Sequence, residues 1–225
     1  MADNLDKEKI KAAVRRRKRE TYVPVKPDMQ LGFIHNNVDC IGCRACEIAC
    51  KDKNGLSSGP RFRRVQYVEG GTYPNVYAYK VNMSCNHCAE PACLPTCPTG
   101  AIFKRKQDGI VDIDSTLCIG CRRCEAACPY GAPQFDLDEN IVKKCNMCVD
   151  EIESGRKPYC VSACMMRVLD IGPIEKLWAG EYQTKALAPG EKPVKAVKNF
   201  ADPELTHPSI AFVPHSKGRV DGEGG

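Results

Sequence analysis

The sequence lacks any run approaching the roughly 18 consecutive apolar residues that a membrane helix needs, so the chain is not expected to span a bilayer itself. An export signal is not expected in it either. Arg15, Arg16 and Arg17 suggest a twin-arginine motif, but Lys18, Arg19, Glu20 and Thr21 follow where an apolar stretch is required. Such a chain is expected to leave the cytoplasm only if a partner carries it. There is no pairing of a nucleophile with a base and no glycine loop for phosphate, so nothing points to group-transfer chemistry.

What the chain has in excess is cysteine: sixteen among 225 residues, in four quartets with none left over. Cys40, Cys43, Cys46 and Cys50 read C-x2-C-x2-C-x3-C, and Cys118, Cys121, Cys124 and Cys128 repeat that spacing. Cys85, Cys88, Cys93 and Cys97 read C-x2-C-x4-C-x3-C, while Cys145, Cys148, Cys160 and Cys164 read C-x2-C-x11-C-x3-C. Three thiolates at two-residue intervals can wrap one cuboidal cluster, because the loop between them curls around it. The fourth lies beyond the loop and reaches the other cluster of a pair, which is the ferredoxin rule. Sixteen ligands at four per cluster give four 4Fe-4S centres, and hence an electron carrier.

Two duller readings compete. Disulfides suit cysteines spread to staple distant loops, whereas these are packed into tight runs. Zinc needs a tetrahedron of ligands, and the fourth quartet alone would pass for a zinc site; a third cysteine at x2 or x4 has no place in one. Cys97-Pro98 and Cys128-Pro129 have the C-P ending of bacterial ferredoxin runs, while Cys50-Lys51 and Cys164-Met165 depart from it.

The clusters also reverse the charge argument. An oxidised core with four thiolates contributes −2, so four sites, −8 together, take the formal +5 to −3. Residues 1–30 hold nine Lys and Arg against five Asp and Glu. Without that arm the loaded core is strongly acidic, which leaves no case for nucleic-acid binding.

The expected architecture is α+β, with two bacterial-ferredoxin-like modules, one inserted in the other, and extended terminal segments. Residues 1–30 form a basic arm. Residues 31–72 and 140–178 form the outer module, with a strand at Leu31–His35, a short helix after Cys46, a closing strand at Val168–Ile171 and a helix from Pro173 to Trp178. Glycines at 55, 59, 70 and 71 mark a bridging stretch. Residues 73–139 form the inserted module. Its entering strand alternates Tyr77, Tyr79, Val81 and Met83, tyrosines that suit a core better than a cofactor contact, and its hairpin turns at Asp108-Gly109. Residues 179–225 form a proline-containing tail without periodicity, extended over something or disordered.

The exchange rule fixes a wiring. Cluster 1 takes Cys40, Cys43, Cys46 and Cys164; cluster 2 takes Cys50, Cys145, Cys148 and Cys160. Cluster 3 takes Cys85, Cys88, Cys93 and Cys128; cluster 4 takes Cys97, Cys118, Cys121 and Cys124. Arg44, Lys51, Arg122, Arg123, Lys143, Lys144 and Arg167 sit beside these loops, where positive charge raises a cluster's potential, although each singly also suits a solvated face. His87 is expected to be a packed side chain or a donor behind the thiolates rather than a ligand.

CIGCRACEIAC, CNHCAEPACLPTC, CIGCRRCEAACPYGAPQ and the split CNMC to CVSAC together resemble the iron-sulfur subunit of the molybdopterin dimethyl sulfoxide reductase family, over residues 31 to about 178. CNHCAEPAC, ACPYGAPQ and LDIGPIEKL place the likeness in the dimethyl sulfoxide reductase branch. The resemblance implies a relay between a molybdopterin catalytic subunit and a membrane anchor that oxidises quinol, with cluster 1 facing the former and cluster 4 nearest the latter. Related nitrate reductase subunits have Trp where Cys121 stands and hold a three-iron cluster, so Cys121 implies four 4Fe-4S centres here. Such subunits are peripheral to the membrane, commonly on its outer face through the partner's export signal; a cytoplasmic complex fits equally. The remaining alternatives are a soluble polyferredoxin serving a hydrogenase or formate dehydrogenase, and a zinc-stabilised binding module.

Overall fold

In all four quartets the residue before the second cysteine is left-handed: Gly42 (φ 73), His87 (φ 43), Gly120 (φ 66) and Met147 (φ 63). This reversal lets each C-x2-C loop curl. Glycine adopts it freely, whereas His87 and Met147 adopt it as side chains with no exposed surface. In quartets one and three the following arginine, Arg44 or Arg122, is left-handed as well and opens a helix, α1 (Ala45–Lys53) or α2 (Arg123–Ala127). The repeat seen in the spacing is thus a repeat of backbone conformation.

The computed structural model describes residues 28–181 and 192–220. The basic arm, up to residue 27, and residues 182–191 and 221–225 of the tail lie outside the described residues. After β1 (Leu31–Asn36) and α1 come two nine-residue strands, β2 (Arg64–Thr72) and β3 (Asn75–Met83), paired antiparallel from Arg64↔Met83 to Thr72↔Asn75. Short hairpins follow: β4 (Ile102–Lys104) with β5 (Val111–Ile113), and, after α2, β6 (Gln134–Asp136) with β7 (Ile141–Lys143). Helices α3 (Val149–Glu153) and α4 (Tyr159–Ser162) carry quartet four, and β8 (Leu169–Pro173) and α5 (Ile174–Ala179) complete this part.

Strand β1 is central in a three-stranded sheet, antiparallel to β8 (Leu31↔Pro173 to His35↔Leu169) and parallel to β9 (Ile210–Val213; Phe33↔Ile210 to Asn36↔Val213). All six of its residues are buried. Alternation along the strand sends Leu31 and Phe33 into the core shared with the thiols, and Ile34 to the opposite face, where Ile174 and Leu177 of α5 meet Ala211 and Val213. The apolar sheet therefore separates the cysteine layer from α5.

The β6–β7 hairpin and helices α2, α3 and α4 went unread in the sequence, and so did two strands that matter more for the fold, β2 and β9. The bridging stretch contains β2, whose Gly70 and Gly71 lie in the strand close to the hairpin turn. The tail contributes β9 and straps quartet two: Ala89 N–H donates to the His207 carbonyl (2.8 Å), Ser209 N–H to the Asn86 carbonyl (2.9 Å), and the Tyr130 and Thr206 hydroxyls lie 2.8 Å apart. The expected boundaries at 72/73 and 139/140 both fall in hairpin turns, β2–β3 and β6–β7. Among the described residues no helix is long and apolar enough to cross a membrane.

Candidate metal centres

The thiols of quartets two and three line two cavities, and those of quartets one and four lie close to one another. One cavity is lined by Cys85, Cys88 and Cys93 of quartet two with Cys128 from quartet three, and another by Cys118, Cys121 and Cys124 with Cys97. At the other end, Cys40 is charge-coupled to Cys43 and Cys164, and Cys46 to Cys164 and Cys160. Cys50 neighbours Cys160, Cys148 and Cys46, and Cys145 neighbours Cys50, Cys85 and Cys160. In each of the two cavities, then, three thiols come from one quartet and the fourth from another, while at the other end the thiols of quartets one and four lie together, with Cys160 near both Cys46 and Cys50. Helix α1, carrying Cys46 and Cys50, packs on α4, carrying Cys160, which is what brings quartets one and four together.

Local chemistry prepares the sulfurs. Asn82 Nδ2 donates to Cys46 Sγ at 3.2 Å, Met147 N–H to Cys145 Sγ at 3.3 Å and Val142 N–H to Cys118 Sγ at 3.4 Å. Burial pushes the thiols of Cys46 and Cys124 up to about 11 and those of Cys50 and Cys88 up to about 12, and raises Cys93 and Cys145 as well. Cys97 goes the other way: burial raises it, but hydrogen bonds from Thr99 and nearby backbone N–H groups outweigh burial and lower it. Most of these groups are therefore protonated thiols at neutral pH unless a metal core stabilises the thiolates.

The buried cations supply the test of fit. Arg63, 1% exposed, stacks 4.2 Å over the Phe33 ring and donates through Nη1 to Asn82 Oδ1 at 3.1 Å. Its Nε and Nη2 have no hydrogen-bond partner among the described residues. Lys144, also buried, donates to the Val111 and Cys145 carbonyls and lies among Cys85, Asp112, Cys145 and Cys93. Lys104 donates to the Cys88 carbonyl at 2.7 Å, and burial lowers it to about 8 against the pull of Cys88 and Cys85. Burying Arg63 and Lys104 with no carboxylate paired to them among the described residues, and Lys144 beside Asp112 alone of the carboxylates named here, is costly, and groups of charge −2 at the adjoining thiols offset that cost. Among the described residues no three Cys, His, Asp or Glu side chains converge on the space of one ion; the thiols of quartets two and three ring two cavities instead, as a core of several atoms requires. The residues fit iron-sulfur clusters.

Of the basic residues singled out from sequence, only Lys144 sits inside among the thiols. Lys143 pairs with Asp136 (3.1 Å) and Glu139 (2.5 Å), Arg122 with Glu125 (2.7 Å), Arg44 lies over Tyr67, Lys51 bonds the Ser57 carbonyl, and Arg167 bonds the Ser162 carbonyl (3.1 Å). Arg63, Lys104 and Asn82 went unread, and no local pattern marks them. His87 is packed: Nδ1 accepts from Val111 N–H at 3.1 Å, and burial together with the charges of Lys144, Lys104 and Arg63 holds it well below its usual range, so the ring is neutral.

Exposure is polarised. Cys43 and Cys121 are exposed while most other thiols are buried or half-buried, and exposed Ile41 and Ile119 stand beside them in the two matching CIGCR loops.

A family model described as a 4Fe-4S dicluster domain matches residues 76–174. The chain is similar to one component of the anaerobic dimethyl sulfoxide reductase of Escherichia coli (strain K12), 40% identical over 202 residues, covering 86% of this chain and 93% of the relative. It is similar also to one component of the sulfite dehydrogenase of Allochromatium vinosum, 42% identical over 156 residues (60% and 65% of the two chains). A third relative is a thiosulfate reductase electron transfer subunit of Salmonella typhi, 36% identical over 163 residues (68% and 83%).

Proposed function

The chain belongs to the iron-sulfur subunits of the molybdopterin dimethyl sulfoxide reductase family, and from that premise we propose that it relays single electrons through four 4Fe-4S clusters between a membrane quinol-oxidising subunit and a molybdopterin catalytic subunit. When bound, each cluster takes up and gives back one electron with no bond to the protein broken. The chain's residues do the rest: they hold the clusters in line, keep water from most of the thiolates and set the local charge.

One observation carries this reading: each of the two thiol-lined cavities draws its fourth cysteine from another quartet, and the thiols of quartets one and four lie together in the same way. It supports cluster 1 on Cys40, Cys43, Cys46 and Cys164, cluster 2 on Cys50, Cys145, Cys148 and Cys160, cluster 3 on Cys85, Cys88, Cys93 and Cys128, and cluster 4 on Cys97, Cys118, Cys121 and Cys124. The packing of α1 on α4, which brings quartets one and four together across the stretch that holds quartets two and three, favours an inner ferredoxin-like module (73–139) inserted in an outer one (31–72 and 140–178), flanked by the arm and the strapping tail. Lys144, lying between Cys145 of cluster 2 and Cys85 and Cys93 of cluster 3, marks where an electron passes from one module to the other. The exposed Cys43 and Cys121 loops suit the two ends, cluster 1 toward the catalytic subunit and cluster 4 toward the quinol side. The protein then sits peripherally on the membrane as part of the complex, on the outer face by way of the partner's export signal.

Anaerobic purification of the tagged chain tests this. The expected result is copurification of a molybdopterin subunit, about sixteen irons and sixteen sulfides per chain, and four 4Fe-4S signals in electron paramagnetic resonance. A three-iron signal sinks the cluster assignment. Isolation with a hydrogenase or formate dehydrogenase points to a polyferredoxin instead.

A further inference from the structure

We propose that Arg63 is a shared counter-cation of the two outer clusters, its fixed charge set among Cys46, Cys50, Cys145 and Cys160, so that both clusters are reduced at less negative potential than they would be without it. The inference rests on the ligand sets proposed above for clusters 1 and 2.

Geometry carries it. Arg63 directly precedes β2, and Asn82, paired in register with Val65, lies across on β3. The side chain is fully enclosed and cannot turn out to solvent. Phe33 holds one face of the guanidinium at 4.2 Å, and Asn82 fixes one corner while donating its own amide N–H to Cys46 Sγ. Two further donors, Nε and Nη2, remain unspent among the described residues. The groups that act most strongly on this charge are four thiols, Cys160, Cys145, Cys46 and Cys50, one assigned to cluster 1 and three to cluster 2.

A buried cation placed this way has no carboxylate paired with it among the described residues; the Asn82 oxygen is uncharged and nearby His35 is neutral, lowered to about 3 by burial, with Arg63 adding to the effect against a hydrogen bond with Asn37. The charge therefore acts outward on the clusters. One electron arriving from the neighbouring cluster takes a site from −2 to −3 and leaves for the next with no proton moved, and a positive charge within the same low-dielectric layer favours the more negative state. Arginine suits this role because its guanidinium stays protonated and holds its donors in a fixed planar fork. Arg63 thus touches no reacting atom by bond; it is a positioning residue acting through charge.

Potentiometric titration of the intact complex under anaerobic conditions, followed by electron paramagnetic resonance, tests the proposal with Arg63→Gln and Arg63→Lys. The outer signals are identified as the two that Cys164→Ser abolishes or alters. In Arg63→Gln the reduced-to-oxidised ratio of both outer clusters at a fixed potential is expected to fall about tenfold, which for a one-electron couple is about 59 mV. The inner two clusters should move much less, and Arg63→Lys should stay close to wild type. Unmoved potentials, an equal shift of all four, or a lysine variant displaced as far as glutamine would overturn the proposal. Should Arg63→Gln fail to assemble, the lysine variant decides. Four clusters at wild-type potentials sustain the charge role, and loss of clusters there too reduces Arg63 to packing. The wild-type cluster count tests the ligand sets separately, so a failure of that reading is not mistaken for a failure of this one.

Discussion

Gly32 faces the Ser209 carbonyl so closely that a Cβ on Gly32 would stand 2.5 Å from the oxygen. That oxygen accepts from Phe33 N–H at 3.2 Å at the point where the tail joins β1, so it cannot move away without loosening β9. Gly32→Ala is therefore expected to lower stability by about 1–3 kcal/mol through overpacking against backbone, read as a lower thermal midpoint and faster proteolysis within residues 192–220. Gly172→Ala is the control. Its Cβ would meet Leu177 Cδ2 at an ordinary 3.4 Å, and equal behaviour of the two variants would refute the argument.

That seam also shows where the sequence stops being readable. Signals held within a few residues survived into the structure: the β4–β5 hairpin around Asp108-Gly109, the alternation of Tyr79, Val81 and Met83 into the core, and Pro173 opening α5. Strand β9 gave no signal because Ile210–Val213 is buried throughout and so shows no period, and because its parallel partner lies at the other end of the chain. Strand β2 was hidden by Gly70 and Gly71, which read as turns when taken alone and lie in the arm of a hairpin. Arg63 looks like part of a solvated run with Arg61 and Arg64; its burial is decided by thiols from quartets one and four, whose meeting no local pattern records.

Cys164→Ser should disturb more than one cluster. Cys164 lies with Cys40 and Cys46, while Cys160, four residues earlier and on α4, lies with Cys50 and Cys145. Loosening the end of that segment loosens both sites. Iron is expected to fall from about sixteen per chain to between about eight and twelve, with the inner two signals unchanged. Three normal clusters with the Cys50 site unaffected would count against the exchanged wiring.

His87 holds its left-handed backbone at the cost of strain and returns a buried acceptor to Val111 N–H. His87→Ala keeps the strain and strands the N–H, with an expected loss of about 1–3 kcal/mol. His87→Asn should lose less, because asparagine tolerates the conformation and its amide oxygen can accept. Thermal unfolding of the anaerobic complex ranks the three proteins, and an alanine variant as stable as wild type sinks the idea.

Assembly of the clusters should expel protons, and removal should cost the fold. The Cys50 and Cys88 thiols, pushed up to about 12 chiefly by burial, and Cys145, higher still than its usual range, hold their protons at neutral pH both in the folded chain and in the unfolded one. Iron binds thiolate, so up to about sixteen protons per chain must leave during reconstitution. Because these groups bind protons only in the metal-free state, assembly is favoured as pH rises. A weakly buffered reconstitution with ferrous iron and sulfide, corrected for protons carried by the sulfide, measures the release directly. Near-zero release would mean that the thiols were already ionised and that the buried cations Arg63, Lys104 and Lys144 had stabilised them without metal. Stripping the clusters then leaves those cations facing empty, apolar thiol cavities, and the β1–β8–β9 sheet loses the layer it packs on. Far-ultraviolet circular dichroism should show secondary structure lost on iron chelation; an unchanged spectrum would show that the sheets and hairpins hold without the clusters.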